Sequence, residues 1–394
     1  MKHSAALKLS YFLFLLTPDQ ALATDLLSLS GRIVDAETKK PIPATIFLDN
    51  TTLWATANND GVYKLGNIPA GNYNLVVALN NQMASYTVSF TDRPVVLNLE
   101  LRLEADSPKQ FARQSNPDVS KKYFHIFTNY LLGNTPNSVR CIIINKDAIL
   151  LEYNKKNRTL KARADKPIEI VNQALGYRLF LSLKEFEINY PANTFVFLGA
   201  LRFQEIAPAN KSQERRLENH REVAFYGSLT HFMRSLVNHN LSDNHFSIYL
   251  YSPDRQEHQV TEDELLTGDT RSKINLRGDL KIIYNGQLRS VIFRPTQRYG
   301  TGLPTLGGSN VPNFTGIPYF RPSISGYRDA WPGQTIFQIS YIHFTGEDVT
   351  IHKNGYIENT NRFRLDGYMS YRECLSNALP LDYEPAKPLI RLNQ

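Results

Sequence analysis

The feature that most constrains this chain is a long alternation of apolar and polar residues between positions 27 and 103. Apolar residues take every second position within residues 73–79, 86–90 and 95–103. This period of two is typical of antiparallel strands with one buried face. An Asn-Asp-Gly turn at residues 59–61 and a Pro-Ala-Gly turn at 69–71 separate such runs. The pattern predicts about seven short strands forming a small β-sandwich over residues 24–104.

The first 23 residues have the composition of an export signal. Lys2 and Lys8 give a basic start, residues 9–16 are apolar apart from one serine, and Ala-Leu-Ala follows at 21–23. The apolar run of roughly eight residues is far shorter than the ~20 needed to span a bilayer, although a short anchor is the alternative. We therefore expect a signal peptide at 1–23, an exported mature chain from Thr24, and no further transmembrane segment. No cysteine follows the cleavage point, which argues against a lipoprotein.

The charge of the chain is mildly basic, with 44 Lys and Arg against 37 Asp and Glu, or +7. The densest basic stretch, residues 155–163, alternates as a strand does, so a solvated strand face explains it better than a nucleic-acid groove. We expect no nucleic-acid partner. The two cysteines, Cys141 and Cys374, could form a disulfide in an exported chain, or Cys141 could be a buried strand residue.

Four short motifs in the alternating region resemble a known family. They are Gly-Arg-Ile-Val-Asp at 31–35, Pro-Ile-Pro-Ala at 41–44, Asn-Asp-Gly-Val-Tyr at 59–63 and Ile-Pro-Ala-Gly-Asn-Tyr at 68–73. Together they resemble the carboxypeptidase-regulatory-like domain, a transthyretin-like, seven-stranded sandwich. The resemblance implies a folding, docking or binding accessory without catalytic residues. In cell-envelope proteins of Bacteroidota this domain often follows the signal peptide directly.

A polar linker over residues 105–122 leads to a larger region at 123–390, for which we expect an α+β fold weighted toward β. Apolar stripes predict helices over residues 123–132 and 217–238. Strands are predicted at residues 139–144, 149–153, 159–164, 168–171, 177–183, 195–203, 279–284, 290–293, 336–344 and 349–352. Residues 221–236, 366–368 and 379–383 resemble segments that accompany the sandwich in two-domain envelope proteins of Bacteroidota, and they bring no activity with them.

No catalytic motif stands out in the larger region. A zinc carboxypeptidase needs a histidine with a glutamate three residues later, and no histidine of the chain has one. Ser228 and His231 share a helix face and could in principle activate a nucleophile, although a helix cap and a packed core histidine explain them as well. His239, Asp243 and His245 are possible metal ligands but also read as a polar helix exit, so we expect no metal and no cofactor.

The Gly- and Pro-rich stretch at residues 300–326 reads as a long exposed loop, and aromatic residues follow through it and beyond it. Tyr319, Phe320, Tyr327 and Trp331 could form a binding surface, because ring faces provide large, rigid contact areas. The alternative is that they are ordinary strand residues.

Together these patterns favour an exported, non-catalytic protein of the periplasm or of the cell surface, including association with the outer membrane. Its partner would be an envelope protein, a peptide or a glycan. The alternative is a hydrolase with an unrecognised site near Ser228 and His231.

Overall fold

The structure is a computed structural model, and it describes residues 27–80, 82–102, 117–192, 194–251, 256–268, 272–285, 310–312, 318–320, 338–358 and 360–386. Strands dominate these residues and form several sheets, which confirms the β-rich fold. The predicted signal peptide at 1–23 and most of the linker at 105–122 lie outside the described residues.

The N-terminal part consists of two four-stranded sheets that enclose one core. One sheet has the order β4-β1-β7 with β8 also paired to β1, and the other has the order β3-β2-β5-β6. The strands are β1 (Leu27–Asp35), β2 (Thr45–Leu48), β3 (Trp54–Thr56), β4 (Val62–Ile68), β5 (Gly71–Leu79), β6 (Gln82–Phe90), β7 (Val95–Val96) and β8 (Leu99–Leu101). The count of seven strands is not confirmed, because the last predicted strand is divided into β7 and β8.

The glycine of the first sandwich motif has a packing role. Gly31 lies in β1, which is flanked by β4 on one side and by β7 and β8 on the other. A Cβ at this position would lie 1.9 Å from the main-chain oxygen of Leu97. Only glycine therefore allows the chain to pass so close to β1 at the join between β7 and β8.

The larger part begins with helix α1 and a six-stranded antiparallel sheet. The sheet has the order β10-β11-β13-β12-β9, and β14 also pairs with β13. The elements are α1 (Pro117–Leu132), β9 (Cys141–Ile143), β10 (Ile149–Asn154), β11 (Thr159–Ala164), β12 (Ile168–Asn172), β13 (Tyr177–Asn189) and β14 (Thr194–Glu205). Phe127 of α1 contacts Phe186 of β13, with their ring centroids 4.8 Å apart, so the helix covers the apolar face of this sheet.

A seven-stranded sheet completes the larger part, in the order β16-β15-β18-β21-β23-β20-β19. Strands β17 and β22 form a separate two-stranded sheet. The elements are α2 (Lys211–Phe225), α3 (Leu229–Val237), β15 (Phe246–Tyr251), β16 (Glu257–Val260), α4 (Glu262–Leu265), β17 (Lys273–Ile274), β18 (Arg277–Tyr284), β19 (Asn310–Pro312), β20 (Pro318–Phe320), β21 (Gln338–Thr345), β22 (Val349–Thr350), β23 (Phe363–Gly367) and α5 (Tyr368–Arg372).

The helix predicted over residues 217–238 is two helices, α2 and α3. They are separated at Tyr226 and Gly227, and Gly227 has a φ of +75° that a glycine adopts without strain. A Cβ on Gly227 would lie 2.8 Å from both Gln338 and Tyr284. The break brings the first residues of α3 against the end of the seven-stranded sheet.

The sandwich contacts the larger part through main-chain hydrogen bonds. Asn50 N–H donates to Leu201 O at 2.7 Å, and Phe203 N–H donates to Thr51 O at 2.9 Å. The guanidinium of Arg202, between these two residues of β14, lies 4.2 Å from the ring centroid of Trp54 in the sandwich. These contacts attach the turn after β2 to the edge of the six-stranded sheet.

The C-terminal segment strengthens the same junction. Leu381 N–H donates to Asn50 O at 2.6 Å, and Asp382 accepts a hydrogen bond of 2.9 Å from Thr52 N–H. The buried side chain of Arg234 in α3 donates a hydrogen bond of 3.0 Å to the main-chain oxygen of Tyr383. The sandwich, the C-terminal segment and α3 are thus linked by a continuous set of hydrogen bonds.

Candidate functional site

Ser228 and His231 meet at the start of α3, but not as a catalytic pair. Ser228 is the N-cap of α3, and its hydroxyl oxygen accepts a hydrogen bond of 3.1 Å from the main-chain N–H of His231. The hydroxyl therefore satisfies a free donor of the first helical turn. Ser228 is therefore a helix-capping residue, and its hydroxyl group does not hydrogen-bond to the imidazole of His231.

The imidazole of His231 is buried, and both of its nitrogens have partners. Nδ1 accepts from Gly227 N–H at 3.1 Å, and Nε2 lies 3.2 Å from Asn244 Oδ1. Rings of Phe225 and Phe246 lie 4.9 Å from it, centroid to centroid. Burial lowers the pKa of His231 to about 4, so the ring is neutral at physiological pH. The geometry is that of a hydrogen-bonded core histidine.

Three buried arginines near these residues are also structural. Arg221, Arg234 and Arg372 are each buried and use their guanidinium groups to hold main-chain carbonyls. The donated bonds run from Arg221 to Leu175 at 2.8 Å, from Arg234 to Asn354 at 2.9 Å, and from Arg372 to Tyr226 at 2.8 Å. These bonds join α2 to the turn before β13, α3 to the loop after β22, and α5 to the end of α2.

The histidines after α3 do not converge on a common point. His239 Nδ1 lies 3.5 Å from Asp263 of α4, whereas His245 hydrogen-bonds through its main chain at the turn before β15. Across the part of the chain that the structure describes, no group of three His, Cys, Asp or Glu side chains could hold a metal ion.

Both cysteines carry free thiols. The Cys141 sulfur lies 3.5 Å from Asn137 O, and the Cys374 sulfur lies 3.5 Å from Arg372 O. Burial raises the pKa of the Cys141 thiol to about 12 and also raises the pKa of Cys374. Neither sulfur is therefore a ready nucleophile.

The aromatic residues proposed as a binding surface fall in a part of the chain that is described only in places. Tyr319 and Phe320 lie in β20, where Tyr319 pairs with Leu365 of β23. This segment is a strand and not the expected loop. Tyr327 and Trp331 lie outside the described residues. The binding surface on these four residues stays a prediction.

A different set of residues forms a polar and aromatic surface on the seven-stranded sheet. The core side of this sheet carries buried residues such as Leu280 and Ile342. Cross-strand pairing places the alternate residues of β15, β18, β21 and β23 together on the opposite side. We call the polar and aromatic part of this surface the sheet face, and it comprises Tyr249, Asp279, Lys281, Tyr341, His343, Arg364 and Asp366. Arg277, Ile283 and Ile339 lie on the same side of the sheet.

An aspartate–histidine pair lies within the sheet face. Asp279 and His343 are direct cross-strand neighbours, and Asp279 Oδ1 lies 2.7 Å from His343 Nδ1. A carboxylate only accepts, so the proton of a neutral imidazole is on Nδ1 and the Nε2 lone pair is an acceptor. That Nε2 is shielded from solvent and has no hydrogen-bond partner. Leaving a buried polar atom unsatisfied in this way costs about 1–3 kcal/mol.

Two tyrosines flank a lysine in the adjoining row of the sheet face. Tyr249, Lys281 and Tyr341 are successive cross-strand neighbours on β15, β18 and β21. Lys281 Nζ forms an ion pair of 2.7 Å with Glu257 of β16 and lies 5.8 Å from the ring centroid of Tyr249. The Tyr341 ring is nearly parallel to that of His343, at 17° and a centroid distance of 6.4 Å. Rings and charges therefore form one continuous surface.

Sequence analysis missed the sheet face because its residues come from four separate stretches of the chain. Only β18 and β21 were predicted as strands. A usable signal was present in β15, where Phe246, Ile248 and Leu250 alternate with polar or aromatic residues. No short stretch of the sequence predicts which of these strands pair. The contact between Asp279 and His343 therefore cannot be predicted from the residues around either of them.

Comparison with known proteins identifies the sandwich alone. Residues 29–107 match the family described as the CarboxypepD_reg-like domain, which confirms that domain. No curated protein matches the chain. Within the described residues, no helix is both long and apolar enough to cross a lipid bilayer.

Solved structures give only distant matches. Two type II cohesin–X–dockerin complexes from Acetivibrio cellulolyticus, a C-terminal and an N-terminal interface mutant, show 23% and 24% identity, each with a TM-score of 0.17. Each match covers 20% of this chain and 56% of that chain. A 9R-lipoxygenase from Cyanothece PCC8801 shows 9% identity and a TM-score of 0.15, over 56% of this chain and 48% of its own. Similarity this low carries no functional argument.

Proposed function

We propose that this chain is an exported, non-catalytic protein of the cell envelope that binds a partner or assists an assembly. In this proposal it belongs to the two-domain envelope proteins of Bacteroidota, with a seven-stranded type of sandwich followed by a larger α+β domain. The sequence of residues 1–23 supports export, and the CarboxypepD_reg-like match supports a non-catalytic first domain. Its place is the periplasm or the cell surface, including association with the outer membrane.

The contacts at the junction support an accessory role for the sandwich. Asp49 accepts a 2.8 Å hydrogen bond from Leu201 N–H, and Asn72 Nδ2 lies 2.8 Å from His352 Nδ1. The sandwich thus touches the larger domain near β14 and near the loop after β22. In this role it supports and orients the larger domain, and the larger domain makes the functional contact.

The sheet face carries the binding proposal, and the decisive observation is that strand pairing places Tyr249 and Tyr341 on either side of Lys281 on one surface. Asp279 orients the imidazole of His343, and Tyr341 lies against it. The surface also combines aromatic rings with charged groups, which is typical of recognition sites.

The test compares material retained from a detergent extract of a Bacteroidota envelope by three immobilised forms of the protein. These are the wild type, the double variant Tyr341→Ala with His343→Ala, and the control Lys64→Ala, which changes an exposed residue of the sandwich. We expect wild type and control to retain the same proteins or sugars and the double variant to lose them. Equal retention by all three folded forms would contradict the sheet face as the binding surface.

The hydrolase alternative has one observation in its favour, and it is Asp279–His343 and not Ser228–His231. A carboxylate that orients a histidine whose Nε2 is an acceptor is the arrangement of a general base. Among the described residues, no serine, threonine or cysteine hydrogen-bonds to that Nε2. Hydrolysis of p-nitrophenyl esters that disappears in folded His343→Asn would replace the non-catalytic proposal.

A further inference from the structure

We infer that one end of the six-stranded sheet is a docking surface for an anionic lipid membrane. The surface is formed by the turn between β10 and β11 and by the first half of α1. We call its exposed basic residues the basic tip, and they are Lys121, Lys122, Lys155, Lys156 and Arg158. None of them belongs to the sheet face, so the inference does not depend on the binding role proposed for that face.

Two turns lie side by side at the basic tip. Thr159 at the start of β11 pairs with Asn189 at the end of β13, and Tyr190 N–H donates to Arg158 O at 3.2 Å. The β10–β11 turn therefore lies next to the β13–β14 turn. Because β11 begins only at Thr159, residues 155–158 form an exposed turn and not the strand face that their alternation indicates.

The charge around this turn is positive even when the acidic neighbours are counted. Residues 149–164 carry five positive charges and one negative charge, and residues 117–132 carry two positive and one negative. The two other strands at this end, residues 177–205, carry three of each. Lys161 is paired with Glu187 at 2.9 Å. In the part of the chain that the structure describes, no residue of the basic tip forms an ion pair, so most of the unbalanced charge lies there.

Three partly exposed tyrosines, which we call the tyrosine cluster, lie beside the basic tip. The rings of Tyr123 and Tyr153 are stacked, with centroids 4.6 Å apart, and Tyr190 packs edge-on against Tyr153 at 6.3 Å. Tyrosine is enriched at membrane–water interfaces, where its ring contacts apolar groups and its hydroxyl contacts headgroups. We therefore expect the tyrosine cluster to lie at headgroup level when the basic tip meets lipid phosphates.

A membrane suits this surface better than a soluble polyanion such as a nucleic acid. A base binds to a protein by packing on the face of an aromatic ring. The stacked rings of Tyr123 and Tyr153 cover one face of each other, and Lys122 Nζ lies over the Tyr123 ring, 5.4 Å from its centroid. A nucleic acid also needs a basic groove that follows its backbone, whereas an exposed turn can meet a flat array of anionic headgroups.

The test is co-sedimentation of the folded mature protein with lipid vesicles of two compositions. One is pure phosphatidylcholine, and the other is an equimolar mixture of phosphatidylcholine and phosphatidylglycerol. We expect the wild type to sediment with the mixed vesicles at about 0.1 M salt and to remain in solution with pure phosphatidylcholine. At about 1 M salt it should be released from the mixed vesicles, because the Debye length falls from ~10 Å to ~3 Å.

Two triple variants with the same change in net charge locate the surface. The tip variant has asparagine at position 158, which tolerates the φ of +50° there, and consists of Lys155→Gln, Lys156→Gln and Arg158→Asn. The control variant changes exposed residues of the sandwich and consists of Lys40→Gln, Lys64→Gln and Arg93→Asn. Each basic residue near an anionic leaflet strengthens binding roughly fivefold. We therefore expect the tip variant to bind on the order of 100-fold more weakly and the control to stay within about twofold.

A fluorescent probe reports which part of the protein touches the lipid. A polarity-sensitive probe on Asn157→Cys, in the β10–β11 turn, should shift to the blue with mixed vesicles, and the same probe on Lys64→Cys in the sandwich should not. Circular dichroism confirms the fold of every variant before binding is measured.

Three results would overturn the inference. The first is that the wild type fails to sediment with mixed vesicles or sediments equally with both compositions. The second is equal binding by the tip variant and the control variant. The third is binding to soluble dextran sulfate without sedimentation on vesicles, which would replace the membrane with a soluble polyanion.

Discussion

Asp49 provides a sharp test of the junction between the sandwich and the larger domain. The half-buried carboxyl group lies in the turn after β2 and accepts a 2.8 Å hydrogen bond from Leu201 N–H of β14. Burial raises the pKa of Asp49 from 3.8 to about 7, although the hydrogen bonds from Leu201, Asn74 and Asn50 oppose the rise. Above about pH 7 the side chain of Asp49 is therefore ionised in an environment that stabilises its neutral form.

The sign and the size of the effect follow from linkage. A raised pKa means that the folded state binds the proton more tightly, so the stabilising contribution is complete below about pH 4 and is lost as the pH rises through about 7. Three pKa units correspond to an upper limit of ~4 kcal/mol. Because the residue keeps some contact with solvent, we expect roughly 2–3 kcal/mol.

The perturbation is Asp49→Asn, which keeps an oxygen to accept from Leu201 N–H but cannot ionise. We expect urea unfolding to give equal free energies for the variant and the wild type at pH 4, and a variant that is more stable by roughly 2–3 kcal/mol at pH 8. Asp60→Asn, at an exposed turn of the same sandwich, is the matched control. A difference between Asp49→Asn and wild type that does not change from pH 4 to pH 8 would refute the reasoning.

Three further predictions concern the site residues. Ser228→Ala should lower the free energy of unfolding by ~1 kcal/mol, whereas Ser228→Asp, which can still cap α3, should not; equal losses in urea titrations would exclude the capping role. Because burial lowers the pKa of His231 to about 4, the unfolded chain takes up this proton first, so wild-type stability should fall as the pH drops from 6.5 to 4, by up to ~3 kcal/mol. His231→Gln should remove this component from the pH dependence of urea unfolding, and an unchanged pH dependence would contradict it. Iodoacetamide at pH 8 should label neither Cys141 nor Cys374 in the folded protein and both in urea, as mass spectrometry would show; no labelling in urea without reductant would instead reveal a disulfide.

Strands were predicted best where their signal is local. The strand predicted at 159–164 is found as β11, Thr159–Ala164, because its alternation is unbroken and both ends have turn residues. The helix expected over 217–238 was interrupted, since the apolar stripe continues through Gly227 while the backbone does not. The helix is interrupted because Gly227 packs against Tyr284, a tertiary contact that the apolar period of the sequence does not indicate.

The candidate site was predicted less well than the fold, for a related reason. Ser228 and His231 are three residues apart, a spacing from which the sequence predicts that they share a helix face. Asp279 and His343 are 64 residues apart, and only strand pairing places them 2.7 Å from each other. Residue types that can take part in catalysis or binding occur throughout most chains. A site is therefore identified by which of these residues lie close together in the folded protein.

The sequence by itself determined the sandwich, its turns and the β-rich character of the chain. Each of these follows from side-chain alternation and backbone geometry within a few neighbouring residues. Tertiary structure alone decided that Arg221, Arg234 and Arg372 bind main-chain carbonyls and that Tyr249, Tyr341 and His343 lie on one side of the seven-stranded sheet. Strand order and register create such surfaces, and they are set by the burial of the whole core, which no single stretch of the chain encodes.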